Sequence, residues 1–434
     1  MNVTREQPVA GSTCWPSARV ALLACLALGS TCGGGWHAAA AIYFVDGTAG
    51  DDRNPGTAEN TAFKSLLRGL RDLKPGDKLT VGKGTYYEQL AIGISGTSDR
   101  PIVIAGQSGS RPVIKYAEDA ITITGSYVEL RGFEAISLAE GSAIAIGKGN
   151  HHVSIIDNIA RDSGCGGIGA QQTDYITIER NIVRGNSMRS PWQCSGISLY
   201  QAKNFDTAPG FHNFIRRNIS YSNLNIVVDE KISKSNGKTT DGNGIIIDDF
   251  RQTQYGTAIP PYTSQTLIEN NVVFDNGGRG IHIFLSDNVV VRNNTIFQNL
   301  KDTNLIGSYN GELSAIKSQG VTFLNNLVQG RGGPNYAFLD GYSADNRWDY
   351  NLAFETRGFR VEKSNAIQGE HNMFDADPKF VNASLDPARA DFHLRSDSPA
   401  LNAGSAAAAP ADDFDGTSRP AGKNPAIGAF EVKP

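Results

Sequence analysis

Two short segments of the chain carry side chains that could do acid–base chemistry. They are 244–250, which reads GIIIDDF, and 280–285, which reads GIHIFL. Alternate side chains of a strand face opposite sides. If the two segments stack as strands, their alternate isoleucines fill an interior and their polar residues share one outer face. The charged side chains predicted on that face are Asp248, Asp249, Arg279 and His282.

A repeated element sets the register of this face. A small residue followed by isoleucine recurs along the chain, at Ile144, Ile168, Ile197, Ile245, Ile281 and Ile316. Counting from these isoleucines places Lys317 one coil on from His282 and directly above it. A lysine held among other cations can lose its proton near neutral pH and act as a base. Arg279 stays charged.

These groups predict β-elimination on an acidic sugar. Arg279 would neutralise a uronate carboxylate, which makes the proton on the neighbouring carbon easier for Lys317 to remove, with His282 beside it. The linked sugar then leaves. The alternative is that Arg279 and His282 only form pairs with Asp248 and Asp249.

The same register predicts a sugar-binding groove. Planar side chains stack on sugar rings, and paired donors and acceptors bind hydroxyl groups. The predicted substrate-binding residues are Gln171, Tyr200, Gln201, Asn243 and Phe284. Two insertions, 201–243 and 251–266, flank this face, and long loops on a rigid scaffold commonly carry function.

A second repeat predicts the fold. An asparagine three positions after a hydrophobic residue recurs at Asn158, Asn181, Asn218, Asn271, Asn294, Asn326 and Asn351. Stacked asparagines can hydrogen-bond along the stack and tolerate turn conformations. With 48 glycines for turns, these repeats predict an all-β chain, a single-stranded right-handed parallel β-helix solenoid with an N-terminal helical cap and an irregular C-terminal tail.

We divide the chain into four parts. Residues 1–40 are predicted to be a signal peptide, 41–100 an N-terminal strand and helix cap, 101–370 the β-helix, and 371–434 a C-terminal capping tail. The cap helix is expected over 63–73, where apolar residues follow helical spacing.

Charge and targeting patterns limit the binding partners and the cellular compartment that we expect. The net charge is -4 without basic runs, which argues against nucleic acid as a partner. Arg19 precedes an apolar run at 20–28 that is too short to span a membrane. We therefore expect a secreted or periplasmic monomer; the rival is a lipoprotein signal ending at Cys25. In such a compartment Cys165 and Cys194 could form a disulfide, but the spacing of stacked strands leaves this open.

The repeats over 42–434 resemble the pectin-lyase-like β-helix superfamily. More locally, Asn243-Gly244-Ile245, 278–282 and Ala315-Ile316-Lys317 resemble the ninth polysaccharide lyase family, pectate lyases with a calcium site of several Asp and a Lys base. The resemblance implies that Lys317 is the base. Arg279 and His282 stand where that family has Asp, so its calcium cluster does not carry over.

Three functions stay open at this point. The first is a polysaccharide lyase acting on an acidic, uronate-containing polysaccharide. The second is a glycoside hydrolase or transferase that uses Asp248 with Asp249 or Asp241. The third is a non-catalytic glycan-binding solenoid on a surface. No cofactor is required by these schemes, although Asp241, Asp248 and Asp249 could form a different calcium site.

Overall fold

The computed structural model describes residues 39–229, 231, 234–254, 256, 258–307 and 310–432. The predicted signal peptide falls almost entirely on residues 1–38, which lie outside the described residues. No helix in the described ranges is long and apolar enough to cross a membrane.

Three long parallel sheets form the body of the protein. Sheet A has twelve strands: Ile42–Val45, Lys78–Val81, Ile102–Gly106, Val128–Arg131, His151–Ile156, Asp174–Glu179, Phe211–Arg216, Gln265–Glu269, Val289–Arg292, Thr322–Leu324, Arg347–Asp349 and Ile367–Gln368. Sheet B has eleven: Thr85–Tyr86, Val113–Tyr116, Glu134–Ser137, Ile159–Arg161, Ile182–Arg184, Ile219–Tyr221, Val272–Phe274, Thr295–Phe297, Leu327–Gln329, Leu352–Phe354 and Met373–Phe374. Sheet C has ten: Leu90–Ile92, Ile121–Ile123, Ile144–Ile146, Ile168–Gln171, Ile197–Tyr200, Ile245–Asp248, Ile281–Phe284, Gly311–Ile316, Tyr336–Gly341 and Phe359–Glu362.

Each coil contributes one strand to each sheet, so the chain winds as a parallel β-helix and the predicted fold class is confirmed. Five of the six isoleucines used to set the register stack in sheet C, from Ile144 through Ile281. They are fully buried and line one continuous apolar interior. Parallel pairing already begins within 41–100, where the sequence placed the cap.

Buried asparagines hold the coils together in two ladders. The predicted ladder runs from Asn158 to Asn351 through side-chain bonds of 2.9–3.2 Å, each Nδ2 donating to the next Oδ1, and continues to Asn372. A second ladder, which the sequence analysis missed, lies five residues further along each coil. Its members are Asn186, Asn223, Asn276, Asn299 and, at its end, Glu312. Each asparagine inside a ladder donates a hydrogen bond to one neighbour and accepts one from the other. In the dry interior an unpaired amide would lower the stability of the fold.

The two ends differ from the coils. The cap helix is Leu66–Arg71, shorter than predicted, and Ser65 caps its first turn by accepting a hydrogen bond from the Arg68 N–H at 3.2 Å. Short 3₁₀ turns are Glu59–Thr61 and Ala406–Ala408. The tail contains an antiparallel pair, Phe380–Asn382 with Asp391–Leu394.

The tail lies along the outer face of sheet B. Phe380, Phe392 and Phe430 share an apolar cluster with Phe274 and Phe297 of the coils. The contacts reach back several coils, since the Asn270 side chain donates to the Asp412 carbonyl at 2.8 Å.

Candidate functional site

A groove follows the outer face of sheet C. Its main cavity, of about 840 Å³, is lined by Asp248, Arg279, His282, Phe284 and Lys317 together with Asp241. The structure therefore brings most of the predicted catalytic residues to one trough. Strand alternation accounts for this, because Ile245 and Ile247 point into the interior while Asp248 points outward.

Lys317 reaches the groove by a different route from the one predicted. Ile281 pairs with Leu313 and His282 with Ser314, so Ser314 and not Lys317 lies above His282. The prediction used Ile316 as the start of the strand, whereas Gly311–Ile316 ends there. Lys317 is instead exposed, at the corner that follows the strand. The position above His282, where the register count placed Lys317, therefore holds Ser314.

That corner is a column of residues with positive φ. The column comprises Gln172, Gln201, Asp249, Leu285, Lys317 and Tyr342, with φ between 49° and 53°. A left-handed residue ends each strand at this corner. Lys317 is shifted because it occupies the corner, level with Leu285, and not the position above His282. Within the column Asp249 and Gln201 are buried, whereas Lys317 and Tyr342 are exposed.

Asp249 and Gln201 do not face the groove as predicted. Both are buried, and the Gln201 amide donates to Asp249 Oδ2 at 2.9 Å. Asp249 also accepts from the backbone N–H groups of Thr253 at 2.7 Å and Gln254 at 3.1 Å. The Asp249 carboxylate therefore anchors the insertion that follows the strand.

Asn243, predicted to bind substrate, is also buried. Its amide donates to Asp241 Oδ1 at 2.9 Å, and its carbonyl oxygen accepts from the Arg279 backbone N–H at 2.9 Å. It thus positions two groove residues without lining the groove itself.

Two carboxyl groups in the groove hold protons more tightly than usual. Removal from water raises the pKa of Asp241 to about 6, although Arg279 opposes the shift. Removal from water and the charges of Asp241 and Asp249 raise the pKa of Asp248 well above its ordinary value, while a bond from Gln254 Nε2 at 2.5 Å opposes this. Asp248 is thereby poised to be a neutral acid.

His282 is shifted the other way. Burial and the charge of Arg279 hold the pKa of the imidazole well below its usual range. Its Nδ1 lies 2.7 Å from Ser314 Oγ. A neutral imidazole whose Nδ1–H donates to Ser314 would present a free lone pair at Nε2.

Arg279 supplies the positive charge. Its Nη2 donates to Asn310 Oδ1 at 2.7 Å, and its Nε is buried without a hydrogen-bond partner among the described residues. Burial lowers its pKa and Asp241 counteracts that shift, but a guanidinium remains charged in proteins.

The calcium site suggested by the sequence does not fit this arrangement. Asp249 is committed to the loop anchor, so Asp241, Asp248 and Asp249 do not converge. Within the described ranges, no three or more His, Cys, Asp or Glu side chains are placed to hold a metal ion.

A second cavity of about 680 Å³ extends the groove toward earlier coils and contains the predicted residues Gln171 and Tyr200. Sequence reasoning missed several groove residues: Trp192, Gln193, Lys234, Gln254 and Tyr342. It also missed Ser314, which is buried and lies 2.7 Å from His282 Nδ1. Lys234 and Gln254 belong to the two insertions that were expected to flank the face. Ser314 could have been found by counting the strand from Leu313.

Comparisons with known proteins agree with this architecture. Residues 230–386 match the family described as "Right handed beta helix region". Pectate lyase L from Thermoclostridium stercorarium is 24% identical over 287 residues, which span 59% of this chain and only 22% of that protein. Among solved structures, pectate lyase Pel9A aligns with a TM-score of 0.53 at 16% identity, covering 90% of this chain and 96% of that one. The lacto-N-biosidase from Eubacterium ramulus aligns with a TM-score of 0.41 at 15% identity, over 77% and 67%.

The family match and the Pel9A alignment, together with the three parallel sheets, define the fold as a right-handed parallel β-helix. Because this fold carries more than one chemistry, the residues of the groove and not the fold determine the activity.

Proposed function

We propose that the protein is a polysaccharide lyase that cleaves an acidic, uronate-containing polysaccharide by β-elimination. The observation that carries the proposal is that two groups lining one groove have pKa values shifted in opposite directions: burial and Arg279 lower the pKa of His282, and burial raises the pKa of Asp248. Environments that push two pKa values apart are typical of an acid–base pair. The weak relationship to pectate lyase L supports the same reaction class.

The reaction needs three roles. Arg279 binds the uronate carboxylate and stabilises the charge that develops on it. Nε2 of His282 removes the proton from the carbon beside the carboxylate, and that electron pair forms a carbon–carbon double bond as the bond to the glycosidic oxygen breaks. Asp248 gives its proton to the departing oxygen.

The register gives these roles a sensible spacing. His282 pairs with Ile246, and Asp248 lies two residues further along that neighbouring strand. The two Cα atoms are therefore about 8 Å apart, from the standard strand rise and strand separation. From that separation the two side chains can reach the adjacent carbon and glycosidic oxygen of one sugar unit.

A second candidate is a glycoside hydrolase. Asp241 and Asp248 interact electrostatically in the same cavity, and two such carboxyl groups could act as acid and base. Asp249 is excluded from this pair because its carboxylate anchors the insertion.

The test is a panel of bacterial and plant polyuronates, followed by ultraviolet absorbance of the unsaturated uronate. Wild type should produce it, and His282→Ala should lower kcat by about 10²–10⁴-fold. Lys317→Ala, a matched control for loss of a groove cation, should lower it less than about tenfold. Loss of activity in Lys317→Ala with retention in His282→Ala would transfer the base role to Lys317. New reducing ends without the absorbance would favour the hydrolase.

We also propose that the protein is exported and monomeric. The Cys165–Cys194 disulfide, with Cα atoms 5.3 Å apart, supports an oxidising compartment. Mass spectrometry of the protein from culture medium and periplasm should find an N-terminus near residue 41, and light scattering should give one chain. A full-length cytoplasmic protein would contradict the export proposal.

A further inference from the structure

The groove does not end at the proposed reacting residues. The second cavity joins the first, because Gln193, Asp248 and Gln254 line both. A glycan bound over His282 would therefore continue past Asp248 toward Trp192. The neighbouring sugar units must fit the chemistry of that second cavity.

The two cavities differ in the number of their cations. Three, Lys234, Arg279 and Lys317, line the first, together with the carboxyl groups of Asp241, Asp248 and Glu362. In the second, Lys148 is the one cation among the described lining residues, and the carboxyl groups there are Asp119 and Asp248. A uronate carboxylate placed there would lose water without gaining a guanidinium, which costs free energy.

The floor and wall of the second cavity suit an uncharged ring. Small or apolar residues of three coils form the floor, namely Ala145, Ile146, Gly169, Ala170 and Ser198. Trp192 stands in the wall with 59% of its surface exposed. Within the described part of the chain its ring has no aromatic partner and its indole N–H makes no hydrogen bond.

Trp192 is held in place in spite of this exposure. The disulfide fixes Cys194, two residues away, to Cys165 in the preceding coil. The Trp192 carbonyl also accepts a bond from the Asn225 amide at 3.4 Å. These contacts fix the backbone at Trp192, and a large aromatic side chain exposed in an open groove wall is typical of a binding anchor.

We propose that the second cavity binds an uncharged pyranose ring of the same glycan, stacked on Trp192, so that the substrate is a heteropolysaccharide in which uronate and neutral sugars are neighbours. This inference rests on the proposed function for the position of the uronate at Arg279. An uncharged occupant follows from the small number of cations in the second cavity. Its place in the same glycan follows from the continuity of the second cavity with the first.

The test uses His282→Ala protein, which should bind without turnover, and calorimetric titration with two oligosaccharides of equal length. One contains only uronate; the other alternates uronate with a neutral hexose. The alternating chain should bind about tenfold more tightly. Trp192→Ala should remove about that factor for the alternating chain and leave the all-uronate chain within about twofold. Tyr87→Ala, an exposed aromatic that lines neither cavity, should change neither.

Equal losses for both chains, no loss for either, or tighter binding of the all-uronate chain would overturn the inference. The proposed function fails separately. If neither oligosaccharide yields unsaturated product with the wild type but the alternating chain binds through Trp192, the lyase is rejected and the neutral subsite stands. If the wild type cleaves polyuronate but Trp192→Ala changes the binding of neither oligosaccharide, the lyase stands and the neutral subsite is rejected.

Discussion

Glu312 at the end of the second ladder should make the stability of the protein depend on pH. Its side chain is buried, and Oε2 accepts from the Asn299 amide at 2.9 Å and from the Asn299 backbone N–H at 3.2 Å. Burial raises the pKa of this carboxyl from 4.5 to about 7. The folded protein therefore keeps a proton that the unfolded chain releases.

The direction and the size of this change in unfolding free energy follow from proton linkage. Below pH 4.5 both states are protonated and the group causes no loss of stability. As pH rises from 4.5 to about 7, the unfolded state gains by ionising, and the free energy of unfolding falls by about 3 kcal/mol. Glu312→Gln keeps an acceptor for Asn299 but cannot ionise.

Denaturant unfolding of wild type and Glu312→Gln at several pH values would check this. The variant should match wild type near pH 4.5 and exceed it by about 3 kcal/mol above pH 7. Glu355→Gln is the control, since this exposed carboxylate accepts a similar amide bond, from Gln329 at 2.7 Å. The role of Glu312 would be refuted if the free energies of unfolding of wild type and Glu312→Gln changed with pH in parallel, or if the variant were less stable at every pH.

Three further predictions concern the groove and the coils. Turnover of wild type should fall as pH rises past the raised pKa of Asp248, and Asp248→Asn should lower kcat about 100-fold and remove that limb; an unchanged limb in a pH–rate profile would contradict the acid role. Replacing Cys165 and Cys194 by Ser should lower the free energy of unfolding by about 3–4 kcal/mol for a sequence separation of 29; chemical denaturation under non-reducing conditions measures this, and no change would argue against the bond. Asn276→Ala should cost about 3 kcal/mol, because Asn223 loses its acceptor in the dry ladder; a midpoint shift near zero would show that water replaces it.

The sequence predicted the fold well because coil stacking repeats one pattern. Each buried asparagine at a corner and each inward isoleucine had to recur at nearly constant spacing, so the successors of Asn158 and Ile144 could be recognised in the sequence. The second ladder was just as regular, at Asn186 and Asn223, but its five-residue offset from the first was not used.

The site was harder to predict than the fold, because the positions of its residues depend on the pairing register at the ends of strands. One coil of sheet C begins at Gly311 and its small-then-isoleucine pair falls at the far end, which moved Lys317 by three positions. Asp249, at the left-handed corner, is buried by its bonds to Gln201 and Thr253, although its neighbour Asp248 stayed in the groove.

By itself the sequence determined that the chain would coil, since a period-two apolar pattern repeated many times can only bury its face by stacking. It also placed Asp248, Arg279 and His282 on one outer face. Only the tertiary structure decided which of these are deprived of water, because the walls that exclude water come from insertions whose path the strand pattern does not specify. Burial, with the charge of Arg279, lowers the pKa of His282, and burial raises the pKa of Asp248.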